Sequence, residues 1–136
     1  MVKTSIRYEG GLRCAATHGP SGQTVFTDAP VDNQGKGESF SPTDLVATAL
    51  GACMATIMGI AAERHEIDLR GMQIEVAKVM SADLPRRIAK LETTIRIPLA
   101  PEHPQRALLE NAALTCPVHK SLGAEMEKPV EFEWVG

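Results

Sequence analysis

Aromatic side chains are scarce in this 136-residue chain: three Phe, one Tyr and one Trp, 4% in all. A nucleic-acid surface built on stacked bases is therefore not expected. Nor is one built on charge, because 14 Lys and Arg stand against 17 Asp and Glu, a net charge of −3 rather than a basic surplus. The chain has no GxSxG, P-loop, GxGxxG or HExxH motif. Cysteine is limited to three, an odd number with no signal-peptide pattern ahead of it. A secreted disulfide framework does not fit that count. Free thiols in a reducing, cytoplasmic setting do. With 43% hydrophobic and 23% charged residues, the composition is that of one folded domain over residues 1–136, not of a disordered chain.

The longest uncharged run, Leu45 to Ala62, has about the length of a membrane span. It consists mostly of Ala, Gly, Thr and Met, which gain little from lipid, and it lacks flanking basic clusters and aromatic belts. It reads as the helix of a soluble protein, buried nearly all round, with no membrane partner.

Short strands are expected over Val2 to Tyr8 and Leu12 to Thr17, joined by a Gly10-Gly11 turn, and over Gln23 to Thr27. Asp28 to Phe40 is rich in turn residues and reads as a loop. Ser41-Pro42-Thr43-Asp44 opens a helix to about His65: Ser41 caps, Pro42 suits the first position, and Asp44 completes a capping-box-like pattern. Strands follow over Met72 to Met80 and Ile88 to Leu99, with Leu91, Thr93, Ile95 and Ile97 on one face. A helix spans roughly Gln105 to Thr115, Pro117 interrupts it, a short helical piece continues towards Met126, and Val130 to Val135 closes as a strand. The order βββ-α-ββ-α-β is that of an α+β protein.

Within the long helix, Ala47, Gly51, Ala55 and Gly59 form a ridge of small side chains, which lets a helix or sheet approach closely. Val46, Leu50, Cys53, Ile57 and Ile60 occupy the other side. With one long helix per chain, a second copy is the expected partner, which makes a homodimer.

Two readings stand for Cys53, in the middle of that helix. Unpaired cysteine packs as a small hydrophobe, or it is a reactive thiolate supported by a cation from elsewhere, since the helix dipole fades within the first turn. Cys116 lies in Thr115-Cys116-Pro117-Val118-His119-Lys120, where His119 and Lys120 are placed to stabilise a thiolate. Cys116 and His119 with Cys53 would alternatively make a metal site. Cys14, next to Arg13, reads as packing.

Phe40-Ser41-Pro42-Thr43-Asp44-Leu45, Ala49-Leu50-Gly51-Ala52-Cys53-Met54 and Cys116-Pro117-Val118-His119-Lys120 together resemble the OsmC/Ohr family over nearly the whole chain. The resemblance implies an OsmC-like fold: an intertwined α+β homodimer with the central helices packed between antiparallel sheets. It also implies a thiol-dependent peroxidase for organic hydroperoxides, with no metal or organic cofactor. Cys53 would be the peroxidatic cysteine and Cys116 the resolving one. An external dithiol, in the family often a lipoylated protein, would reopen their disulfide. Met54, Met58 and Phe40 would offer the substrate's alkyl tail an apolar surround. A binding protein that holds a small apolar or thiol ligand in the dimer cleft, without turnover, is the alternative on the same scaffold.

This chain departs from the hydroperoxide-resistance members at two places. They carry a glutamate directly after the proline, where Thr43 stands here and the acid follows as Asp44. They also carry an arginine in the early turn, where this chain has His18-Gly19-Pro20-Ser21-Gly22. Arg13 is the nearest substitute, and with Asp44 it completes the candidate catalytic set. Asp44 precedes Cys53 by nine residues, about 180° round and about 13 Å along one helix. It therefore either serves the partner subunit's site or caps its own helix.

Overall fold

The structure, a computed structural model, describes all 136 residues, and they form two compact units, residues 1–46 and 47–136. In the first, β1 (Thr4–Gly10), β2 (Arg13–His18) and β3 (Thr24–Asp28) make an antiparallel sheet in that order. The first turn lies one residue later than expected, over Gly11 and Leu12. Both have positive φ (59° and 64°), the condition for a mirror-image hairpin turn. Gly10, at φ 83°, sits beside the register shift between Tyr8 and Gly10. Apolar side chains remain outside on this sheet: Ile6, Tyr8, Val25 and Phe26 are all exposed.

The segment after β3 is a loop as expected, with a single 3-10 turn over Val31–Asn33. Backbone bonds pin both ends, Asp28 N–H to the Phe40 carbonyl and Ala29 N–H to that of Leu12. Helix α1 (Pro42–Arg64) then begins on a reciprocal cap. The Ser41 N–H donates to Asp44 Oδ2 at 2.9 Å, and the Asp44 N–H donates to Ser41 Oγ at 3.1 Å.

The second unit packs the body of α1 against β4 (Gln73–Met80), β5 (Ile88–Ile97) and β6 (Val130–Trp134). Gly51 shows how close the approach is: an added Cβ would stand 3.1 Å from Val76 Cγ2 and 3.3 Å from Ile74 Cγ2. The small residue therefore admits the sheet of its own chain. Leu50, Met54, Met58 and Ala62 extend the buried stripe along the helix, and Leu91, Ile95 and Ile97 form its counterpart on β5. Thr93 shares that buried face, its Oγ1 without a hydrogen-bond partner.

Two expectations are corrected. This sheet is mixed rather than antiparallel: β4 pairs antiparallel with β5, but β6 pairs parallel with it. The chain reaches β6 through α2 (Arg106–Leu114) and α3 (Pro117–Ser121), and a crossover of that kind returns a strand in the same direction. Helix α1, though long and apolar enough to cross a membrane, is not buried all round within the chain. Thr48, Ala49, Ala52, Thr56 and Ile60 form an exposed, uncharged face. Leu109 and Ala113 seat α2 in the core, and Glu110 Oε1 ties it to β6 by accepting the Trp134 indole N–H at 2.9 Å.

Candidate active site

Cys53 lies on α1 between the buried Leu50–Met54 stripe and the exposed Ala52–Thr56 face, and it is half-buried. Helical spacing alone puts it at that boundary. Cys116 is fully buried at the junction of α2 and α3. Pro117 opens α3, and the residue before a proline is driven to extended backbone. Cys116 accordingly adopts φ −63° and ψ 146°, and its Sγ accepts the His119 N–H at 3.3 Å. A cysteine thus does the capping work usually given to Ser or Asp.

The two thiols, 63 residues apart in the chain (116 − 53), come close enough in the fold to act on one another. Burial pushes the Cys116 thiol up from its ordinary value. The His119 N–H works against this, while the neighbouring Cys53 sulfur adds to it. Cys116 is thereby held in its protonated form.

His119 does not supply the cation expected of it. Burial lowers its pKa, and Lys128 and Lys120 lower it further, so its ring is held neutral. Its Nδ1 is buried with no partner. What His119 gives Cys116 is a backbone N–H. The metal alternative also lacks a ligand set, for no three His, Cys, Asp or Glu side chains gather in an arrangement that could hold an ion. Met54 and Met58 are fully buried on the core side of α1, so they do not line an open surround for an alkyl tail; Phe40 is exposed.

Arg13 and Asp44 belong to the first unit. Arg13 is engaged by carboxylates: Nε and Nη2 donate to Asp28 Oδ1 and Oδ2 at 2.8 and 2.9 Å, and Nη2 donates to Glu38 at 3.3 Å. Asp28 is buried, and it also accepts the Glu38 N–H at 3.1 Å. The guanidinium holds the Asp28 carboxyl below the usual carboxylate range. Sequence reasoning missed Asp28, whose only signal is strand register, Arg13 being directly opposite it. Asp44 makes the reciprocal cap with Ser41. Cys14 is a free, half-buried thiol on β2.

Comparison with known proteins identifies the family and the fold. The OsmC-like protein family profile matches residues 35–131. The solved structure of a Psychrobacter arcticus 273-4 protein, provisionally assigned to osmotic stress and detoxification response, is 46% identical. It aligns over 98% of this chain and 96% of its own, with a TM-score of 0.91. An organic hydroperoxide resistance protein OsmC from Legionella pneumophila shares the fold at 15% identity, over 98% of this chain and 96% of its own, with a TM-score of 0.75. So does a Vibrio cholerae O1 protein provisionally assigned to organic hydroperoxide resistance, with captopril bound in one of its active sites. It is 16% identical, over 96% of this chain and 90% of its own, with a TM-score of 0.75. No curated protein matches the chain. The chain belongs to the OsmC-like family.

Proposed function

We propose that this protein is a thiol-dependent peroxidase that reduces organic hydroperoxides through Cys53 and Cys116. The observation that carries the reading is that a half-buried thiol, Cys53, and a fully buried one, Cys116, lie close enough to act on one another. The more accessible sulfur, Cys53, attacks the terminal peroxide oxygen; the alcohol leaves and Cys53 becomes a sulfenic acid. Cys116, its neighbour, displaces the hydroxyl and closes a disulfide. An external dithiol such as a lipoyl group reopens it by exchange, in a reducing compartment such as the cytoplasm. Membership of the OsmC-like family supports this chemistry, and hydroperoxide resistance is the role given to two proteins of the same fold.

The active form in this reading is a homodimer. Within the second unit, the uncharged α1 face of Thr48, Ala52, Thr56 and Ile60 is open. Within the first, Ile6, Tyr8, Val25 and Phe26 are exposed on a three-stranded sheet. A second copy would cover both surfaces, as in the intertwined arrangement the family resemblance implies.

Titration with cumene hydroperoxide is the test. It is expected to consume two thiols per chain and to yield a Cys53–Cys116 disulfide by peptide mapping, and Cys53→Ser abolishes peroxide consumption. Loss of a single thiol with no disulfide would replace the peroxidase with a ligand-binding protein. Turnover retained in Cys53→Ser would reverse the roles.

A further inference from the structure

Thr115-Cys116-Pro117 joins α2 to α3, and the hydrogen bonds around it show what the proline does there. Helix α2 winds down on the Thr115 N–H to the Ala112 carbonyl at 3.2 Å and the Cys116 N–H to that of Ala113 at 3.3 Å. Pro117 has no N–H with which to carry the helix on, and its ring disfavours helical backbone at the residue before it. Cys116 therefore stands at φ −63° and ψ 146°, and α3 starts afresh with Pro117 in its first turn. In that conformation the Cys116 side chain becomes the cap of α3, its Sγ accepting the His119 N–H at 3.3 Å. The first N–H groups of a helix have no carbonyl partner within it, so this one is left for the sulfur. A fully buried sulfur is thus tied down by one backbone bond, which selects among its staggered rotamers.

We propose that Pro117 is a positioning residue for disulfide closure: it holds the Cys116 sulfur on the His119 N–H, in the place from which that sulfur reaches Cys53. This rests on the pairing of the two cysteines in the reading above. In the closing step the Cys116 sulfur attacks the sulfenic sulfur of Cys53, the S–S bond forms and the S–O bond breaks. The hydroxyl leaves with the electron pair and takes up the Cys116 proton, giving water. Cys116 is oxidised and the sulfenic sulfur is reduced. Two effects of the cap favour this step. A sulfur already held in place loses little freedom on the way to the new bond. An N–H aimed at it favours the thiolate that attacks. Without the proline, nothing in the local backbone keeps Cys116 extended, and both effects weaken together.

The test follows the coloured thionitrobenzoate released from dithionitrobenzoate, in a Cys14→Ser background and without peroxide. The reagent forms a mixed disulfide on the accessible Cys53, which is the first release. Attack by Cys116 on the Cys53 sulfur then frees the second thionitrobenzoate and leaves the protein disulfide. In Pro117→Ala the first release is expected to keep its rate to within about twofold, while the second slows about tenfold. The pH midpoint of the second release should also rise by about half a unit. His119→Pro deletes the capping N–H at a position in the first helical turn, where proline is tolerated. Its second release should be about tenfold slower than that of His119→Ala, which lacks the ring but keeps the N–H. This pair carries the test if Pro117→Ala does not fold. A second release that keeps its rate and pH midpoint in these variants, or that slows no more than the first, overturns the proposal. So does a parent protein that gives no second release. A parent that gives both releases, slowed as expected in the variants, but consumes no cumene hydroperoxide loses the peroxidase reading and keeps this one.

Discussion

Arg13 is a catalytic candidate only as the nearest substitute for an arginine in the early turn, and its surroundings explain what it does within its own unit. Its guanidinium is clasped by Asp28 in a two-point bond, which a lysine cannot reproduce. Asp28 must be ionised for the clasp to hold, and its carboxyl is held below the usual value by that same arginine. The contribution is therefore complete above the unfolded carboxylate value of about 3.9 and fades as pH falls through the lower folded value. Urea midpoints of the wild type and Asp28→Asn should differ at neutral pH, the wild type being more resistant, and should converge in strong acid. A gap that stays constant across pH would locate the stabilisation elsewhere. Arg13 was visible in the sequence as a charge beside a cysteine. Its partner was not, because two residues fifteen positions apart become neighbours only when the strand register is set.

At the scale of the element, α1 combines a cap that the sequence spells out with a packing contact that it only half reveals. Ser41 and Asp44 satisfy each other's N–H groups, so Asp44→Ala should lower stability by about 1 kcal/mol in chemical denaturation. Asp44→Asn keeps an oxygen for the Ser41 N–H and should keep most of that stability. If capping is the residue's whole role, it should also keep peroxide turnover. A drop in turnover of more than about tenfold, worth about 1.4 kcal/mol of barrier, with the denaturation midpoint unchanged would give the Asp44 charge a part in the chemistry. Gly51 sets two effects against each other. Alanine favours a helix interior by about 1 kcal/mol over glycine, yet its Cβ would press on Val76 and Ile74 at 3.1 and 3.3 Å. Crowding is expected to win, leaving Gly51→Ala destabilised by roughly 1 kcal/mol, the low end for an overpacked core. A more stable variant would show that β4 yields.

At the scale of the whole molecule, the open face of α1 is the feature that a single chain leaves unexplained. An uncharged run of this length would be an unusual choice for a surface meant to stay in water, and small residues along it suit close approach by another backbone. If a second copy covers it, Ala52→Arg and Thr56→Arg place a charge in that interface. Each should convert the dimer to a monomer in light scattering, and the concentration dependence of the thermal midpoint should disappear with it. A monomeric wild type with a midpoint independent of concentration would end the dimer reading.

The sequence by itself determined the elements, their order and the two local contexts of the cysteines, because capping residues, prolines and hydrophobic periodicity act over a few neighbouring positions. It also carried the family, through motifs that are themselves local. Tertiary structure alone decided that Cys53 and Cys116 lie beside each other, that burial holds the His119 ring neutral, that Arg13 is clasped by Asp28, and that β6 runs parallel to β5. Each of these depends on residues far apart in the chain arriving at one place. That is set by the packing of elements against one another, and no short stretch of sequence records it.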